Sequence, residues 1–129
     1  MHWAEVFVVF VVSHMVGDFV LQTDWQAVTK HGGLRRGNTR GLSALLAHCS
    51  TYTLAYVPCF VWLAGDLSWG VLAVVAGVFF PHVLQDDGRV LATYMRRVKK
   101  ADPAALPVVA LGLDQSVHAV VLLLLAIAI

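Results

Sequence analysis

His14 and Asp18 stand four residues apart in an otherwise apolar run, HMVGD. The pair returns in the same order as His82 and Asp86 in HVLQD, and reversed as Asp114 and His118 in DQSVH, while His48 stands alone in the remaining apolar segment. An α-helix turns once every ~3.6 residues, so side chains at i and i+4 stack on one face. Imidazole and carboxylate groups suit zinc, manganese and iron, and donors from several helices can enclose an ion that one helix could not. The expected metal ligands are therefore His14, Asp18, His48, His82, Asp86, Asp114 and His118. This set exceeds the roughly three to four protein ligands of one catalytic zinc. It would suit two ions ~3.5–4 Å apart sharing a carboxylate, or one ion with an outer layer of Asp–His pairs. Zinc is the first expectation, with Mn or Fe as alternatives.

These residues belong to a chain of 129 residues that is 59% hydrophobic and 13% charged, against about 25% charged for a soluble domain. With a mean hydropathy of +0.75, the composition points to a single-domain integral membrane protein, with membrane lipid as its surroundings and nucleic acid not expected as a partner. All nine Lys and Arg fall in two clusters, Lys30 to Arg40 and Arg89 to Lys100. Basic residues mark cytoplasmic loops, so both termini are expected on the non-cytoplasmic side. Cys49 and Cys59 share one apolar segment, too far apart along a helix for a disulfide. No Lys or Arg precedes the first apolar run, so that run reads as a retained helix rather than a signal peptide.

The elements that must position the polar groups are four apolar segments, 3–22, 42–64, 69–86 and 106–129, each near the ~20 residues that cross a bilayer core. The expected fold is all-α, an integral membrane bundle of four transmembrane helices in one domain, 1–129. The chain turns polar over 23–40, where His31 to Gly33 and Arg35 to Asn38 read as loop, with Ser43 as a cap for the second helix and Pro58 as a bend within it. The short link from Gly65 to Ser68 makes the second and third helices antiparallel neighbours. Pro81 deprives the Gly77 carbonyl of its helical partner, and the third helix is expected to extend toward residue 98 along the cytoplasmic surface. Similar spacings separate His14 from His48 and His82 from His118, which suggests two similar hairpins with the site between them.

With the basic loops inside, all seven ligand-type residues fall at one depth in the inner half of the bundle. Each aspartate at a helix centre carries an insertion penalty of roughly 2.5–3.5 kcal/mol. Basic loop residues nearest the segment ends could reach some of them by snorkelling, yet no Lys or Arg lies within the segments, so a divalent cation is the economical counter-charge. Two other readings remain open: a hydrogen-bond network of His and protonated Asp that holds a structural subunit together, and a metal or proton conduit. Gln22, Gln85 and Gln115 fit either a network or a site, whereas a conduit lacks ionisable groups in the outer half beyond Glu5 and Asp66. Asp24, Asp87 and Arg89 read as solvated rim residues, and His2 and His31 as loop residues.

The string HMVGDFVLQTDW at 14–25, the lone His48, HVLQD and DQSVH resemble the signature of bacterial and phage membrane proteins grouped as domain of unknown function 3307. The resemblance covers nearly the whole chain, and the polar pattern is similar to that of membrane-bound metal-dependent hydrolases. It implies residence in the inner membrane of a bacterium or phage-infected bacterium. Motif and resemblance together give the expectation of a metal-dependent hydrolase acting from the cytoplasmic leaflet on an amphiphilic or phosphoester substrate. Asp86 or Asp114 would take the proton, and Arg35, Arg36, Arg89 and Arg96 would receive an anionic head. A homo-oligomer is compatible with so thin a bundle, although no Gly-x3-Gly seam marks one.

Overall fold

The computed structural model describes residues 2–129, and every regular element among them is helical. Helix α1, Trp3–Met15, turns Val6, Phe10, Ser13 and His14 inward at helical spacing. It continues into a π-helical turn, Val16–Val20, that carries Gly17 and Asp18; such turns are rare and concentrate at functional sites. Glycine is needed there, since a Cβ on Gly17 would lie 2.5 Å from Tyr52 Cδ2 and 3.2 Å from Tyr52 Cα.

The polar stretch that follows opens on a helix, and the loop expected from His31 to Asn38 comes after it. Helix α2, Asp24–Thr29, starts at a capping box in which Thr23 and Gln26 satisfy each other's backbone N–H groups. Helix α3, Thr39–Ala55, is capped by Asn38, whose side chain accepts from Gly41 N. Ser43 is therefore not the cap; it lies a turn inside the helix and donates back to the Thr39 carbonyl. At Tyr56 the chain passes into α4, Val57–Leu67, with Pro58 in the first turn, where a missing N–H costs least.

A turn with Ser68 at φ 50° leads into α5, Val71–Asp86, which contains Pro81. The expected extension toward residue 98 is interrupted at Gly88, whose φ of 74° lies in the left-handed region. Helix α6, Arg89–Arg97, starts there in a new direction, and α7, Pro107–Ala128, completes the chain.

Three helical stretches are long and apolar enough to cross a membrane: Trp3–Val20, Val57–Asp86 and Pro107–Ala128. The middle one folds back on itself at Ser68. The Tyr52 and His82 rings stack with centroids 3.5 Å apart, whereas a straight run from Val57 to Asp86 would be about 45 Å long and would carry them far apart. Large apolar side chains such as Val8, Val61, Phe80 and Leu124 are exposed on the outside, a surface that suits lipid and not water.

The interior is divided along its length. Val6 and Phe10, Tyr56 and Leu63, Val74 and Val78, Leu122 and Ala126 form one apolar cluster. The same stripes, stepping by four residues, then become polar: His14 and Asp18 after Phe10, His82 and Asp86 after Val78, His118 and Asp114 beyond Leu122. Both basic clusters meet at that polar end, where Gly32 N donates to the Asp87 carbonyl at 2.8 Å and Leu34 N to Asp87 Oδ1 at 2.7 Å.

Candidate metal centre

Asp18 on the π turn, His48 on α3, and His82 and Asp86 on α5 each present one ligand atom to a common region; these atoms lie within 4.8 Å of one another and all four residues are buried. His48 Nε2 is 3.1 Å from His82 Nε2, 3.3 Å from Asp18 Oδ1 and 2.8 Å from Asp86 Oδ2. His82 Nε2 is 3.5 Å from Asp18 Oδ1 and 3.4 Å from Asp86 Oδ2. Donors placed tetrahedrally at zinc bond lengths stand about 3.3–3.4 Å apart, and these five separations straddle that value. Asp18 Oδ1 has no hydrogen-bond partner although two imidazole nitrogens lie close to it. The residues present therefore fit a cation: the donors converge on a shared centre, and one of them, Asp18 Oδ1, is buried without a hydrogen bond.

Asp86 also belongs to a second group with Asp114 and His118. Its Oδ1 lies 3.3 Å from His118 Nε2, while its Oδ2 faces His48 and His82. His118 Nδ1 lies 2.8 Å from the Asp114 carbonyl oxygen and donates to it, so in the neutral ring Nε2 carries the lone pair. That nitrogen is buried and unpartnered. Two electron-rich atoms facing each other without a shared proton form a site that a cation relieves. One carboxylate between two donor groups is the arrangement of a bridged two-ion centre.

His14 stands outside both groups, and a chain of hydrogen bonds accounts for it. A carboxylate only accepts, so the Gln115 amide nitrogen faces Asp18 Oδ2 at 3.4 Å and Asp114 Oδ2 at 3.3 Å. Gln115 Oε1 then accepts from His14 Nε2 at 2.8 Å, which leaves His14 Nδ1 to accept from the Tyr52 hydroxyl at 3.1 Å. Tyr56 completes the chain, 2.6 Å from the Tyr52 hydroxyl. Both His14 nitrogens are thus engaged, and its part is to hold Gln115 and Tyr52. The tyrosine ring in turn stacks on His82 with 6° between planes.

Gln22, on the stripe of His14 and Asp18, places its amide nitrogen 3.2 Å from His48 Nδ1. In that orientation Nδ1 accepts and Nε2 carries the proton, toward Asp86. Turning the amide over makes Nδ1 the donor and frees Nε2 for an ion.

Lys30 belongs to a basic loop cluster whose residues are expected to reach the aspartates only by snorkelling from the helix ends. It is buried, and its Nζ donates to Asp86 Oδ2, giving that carboxylate a fixed cation. The local signal for this contact is the Thr23–Gln26 capping box, which starts the helix that ends at Lys30. Asp87, expected at the solvated rim, is also buried, accepting from Leu34 N and Arg89 Nε, and so ties the two basic segments together. Asp114 is the most open member of the centre, its side chain 27% exposed.

Comparison with curated proteins and with solved structures yields no match. The family described as Protein of unknown function (DUF3307) matches residues 6–129, a span that includes every donor of both groups, and the chain belongs to that family.

Proposed function

We propose that this protein is a metal-dependent hydrolase of the bacterial inner membrane, acting from the cytoplasmic leaflet on an amphiphilic or phosphoester substrate. The observation that carries the reading is the convergence of Asp18, His48, His82 and Asp86 at ion-binding separations, with Asp18 Oδ1 buried and unsatisfied. Two imidazoles and two carboxylates suit zinc first, with Mn or Fe as alternatives, and the link through Asp86 to His118 and Asp114 accommodates a second ion. In this reading the helical arms of α1, α3 with α4, α5 and α7 all cross the bilayer as one domain, with the basic loops cytoplasmic and both termini outside. The motif similarity to membrane-bound metal-dependent hydrolases agrees with it.

A bound divalent ion brings the pKa of a coordinated water to about 7 and so supplies hydroxide at neutral pH. Asp114 is better placed than Asp86 to take the proton. Asp86 is held by His48 and Lys30, whereas Asp114 keeps an exposed edge beside the centre. A conduit would need polar groups through the other half of the bundle, and that half is filled by Val6, Phe10, Leu63, Val74 and Leu122. The test is turnover of phosphoesters and acyl esters by the purified, metal-loaded protein. Hydrolysis that stops with a chelator and with Asp86→Asn supports the reading; a metal-loaded protein that turns over none of them refutes it.

A further inference from the structure

Helix α6 presents two faces. Val90, Leu91 and Tyr94 occupy one arc, and Arg89, Ala92 and Arg96 another. The first arc lines a cleft of about 460 Å³ shared with Leu84, Leu113 and Val117. The second lines a cleft of about 640 Å³ into which Arg35 also projects. Leu91 and Asp114 line both clefts, so the two meet beside Asp114, at the edge of the candidate metal centre. Arg36 lines neither cleft but a third groove, which Arg35 also borders.

Charge decides what the basic cleft can hold. Arg89 is committed to Asp87. Among the described residues Arg35 and Arg96 form no ion pair, and both are exposed. Two free guanidiniums are forks for a phosphate, which they can grip with paired N–H donors. The neighbouring cleft is apolar except for Asp114, the Tyr94 hydroxyl and Gln85, whose buried amide nitrogen is an unpartnered donor. Both volumes lie in the range of ~300–1,000 Å³ usual for small-molecule sites, and a short amphipathic basic helix lies naturally at a lipid–water boundary.

We propose that the two clefts form one binding site for a phosphorylated single-chain amphiphile. The phosphate lies against Arg35 and Arg96, and the chain runs along Leu84, Val90, Leu113 and Val117. The junction of head and chain then falls beside Asp114. This assignment rests on the hydrolase reading for what happens at the junction, while binding itself can be measured without turnover. An uncharged lipid would leave the two guanidiniums unanswered.

The experiment uses the full chain in nanodiscs of zwitterionic lipid, with dodecyl phosphate as probe and dodecanol and inorganic phosphate as comparators. The wild type is expected to bind dodecyl phosphate at least about tenfold tighter than either comparator. The double variant Arg35→Gln with Arg96→Gln is expected to lose about tenfold or more for dodecyl phosphate, with its metal content unchanged. Leu113→Gln is expected to weaken dodecyl phosphate and spare inorganic phosphate. Equal binding of dodecanol or of inorganic phosphate, or a double variant that binds like the wild type, overturns the assignment. Protein that binds dodecyl phosphate but holds no metal would instead count against the metal centre, so the two failures are distinct.

Discussion

Lys30 and a metal ion are rival counter-charges for one carboxylate, which gives Lys30→Met an unusual expected effect: removing a cation tightens metal binding. The side chains of Lys30 and Asp86 are only 10% and 2% exposed, so solvent screens the pair little. Removing one partner of such a buried pair costs about 3–5 kcal/mol, and the metal-free variant should bear that cost. In the loaded protein the ion supplies the missing charge, and the cost falls to a lost hydrogen bond, about 1 kcal/mol. The difference, about 2–4 kcal/mol, must appear as tighter metal binding, because coupling free energies are reciprocal. It corresponds to an affinity gain between about 30-fold and about 1,000-fold. Competition of the detergent-solubilised protein against a chromophoric chelator reads the affinity. Thermal unfolding in chelator and in metal reads the two stabilities. Unchanged or weaker metal binding in Lys30→Met would refute the reasoning.

Gly17→Ala forces a Cβ into contact with Tyr52, including its backbone; overpacking should cost about 1–3 kcal/mol, seen as a lower unfolding midpoint. His48→Ala should remove metal binding, whereas His14→Ala, which cuts the chain from Tyr52 to Gln115, should weaken it about 10–100-fold, as loss of an outer partner does; equal losses measured by chelator competition would contradict the assignment of the two histidines. Gly88→Ala puts a side chain at φ 74° and within 2.8 Å of His31 Nδ1. Strain of about 1–2 kcal/mol should displace α6 and weaken dodecyl phosphate binding while metal content holds.

The polar stripes could be read from the sequence because their cause is local. Val74, Val78, His82 and Asp86 recur every fourth residue, and the helical turn alone puts them on one face. The π turn that carries Asp18 is less open to reading, since the close approach of Gly17 to Tyr52 beside it is a contact across helices. Lys30 illustrates the same limit. Its partner lies far along the chain, and the short capped helix that aims it was hidden in a stretch whose composition resembles loop. Asn38 in place of Ser43 as the cap, and the break at Gly88, follow from side-chain-to-backbone bonding and a positive φ, which hydropathy does not register. His14 shares its spacing with His82 yet lies outside both donor groups, with its two nitrogens taken by Tyr52 and Gln115, which spacing alone does not register.

The most direct test is the metal content of the purified protein after exposure to zinc or manganese and removal of excess ion, measured by elemental analysis for the wild type, His82→Ala and Asp86→Asn. The expected result is about one to two ions per wild-type chain and almost none in either variant. A folded wild type without stoichiometric metal, or variants that retain it, would contradict the claim that these buried histidines and aspartates form a metal centre.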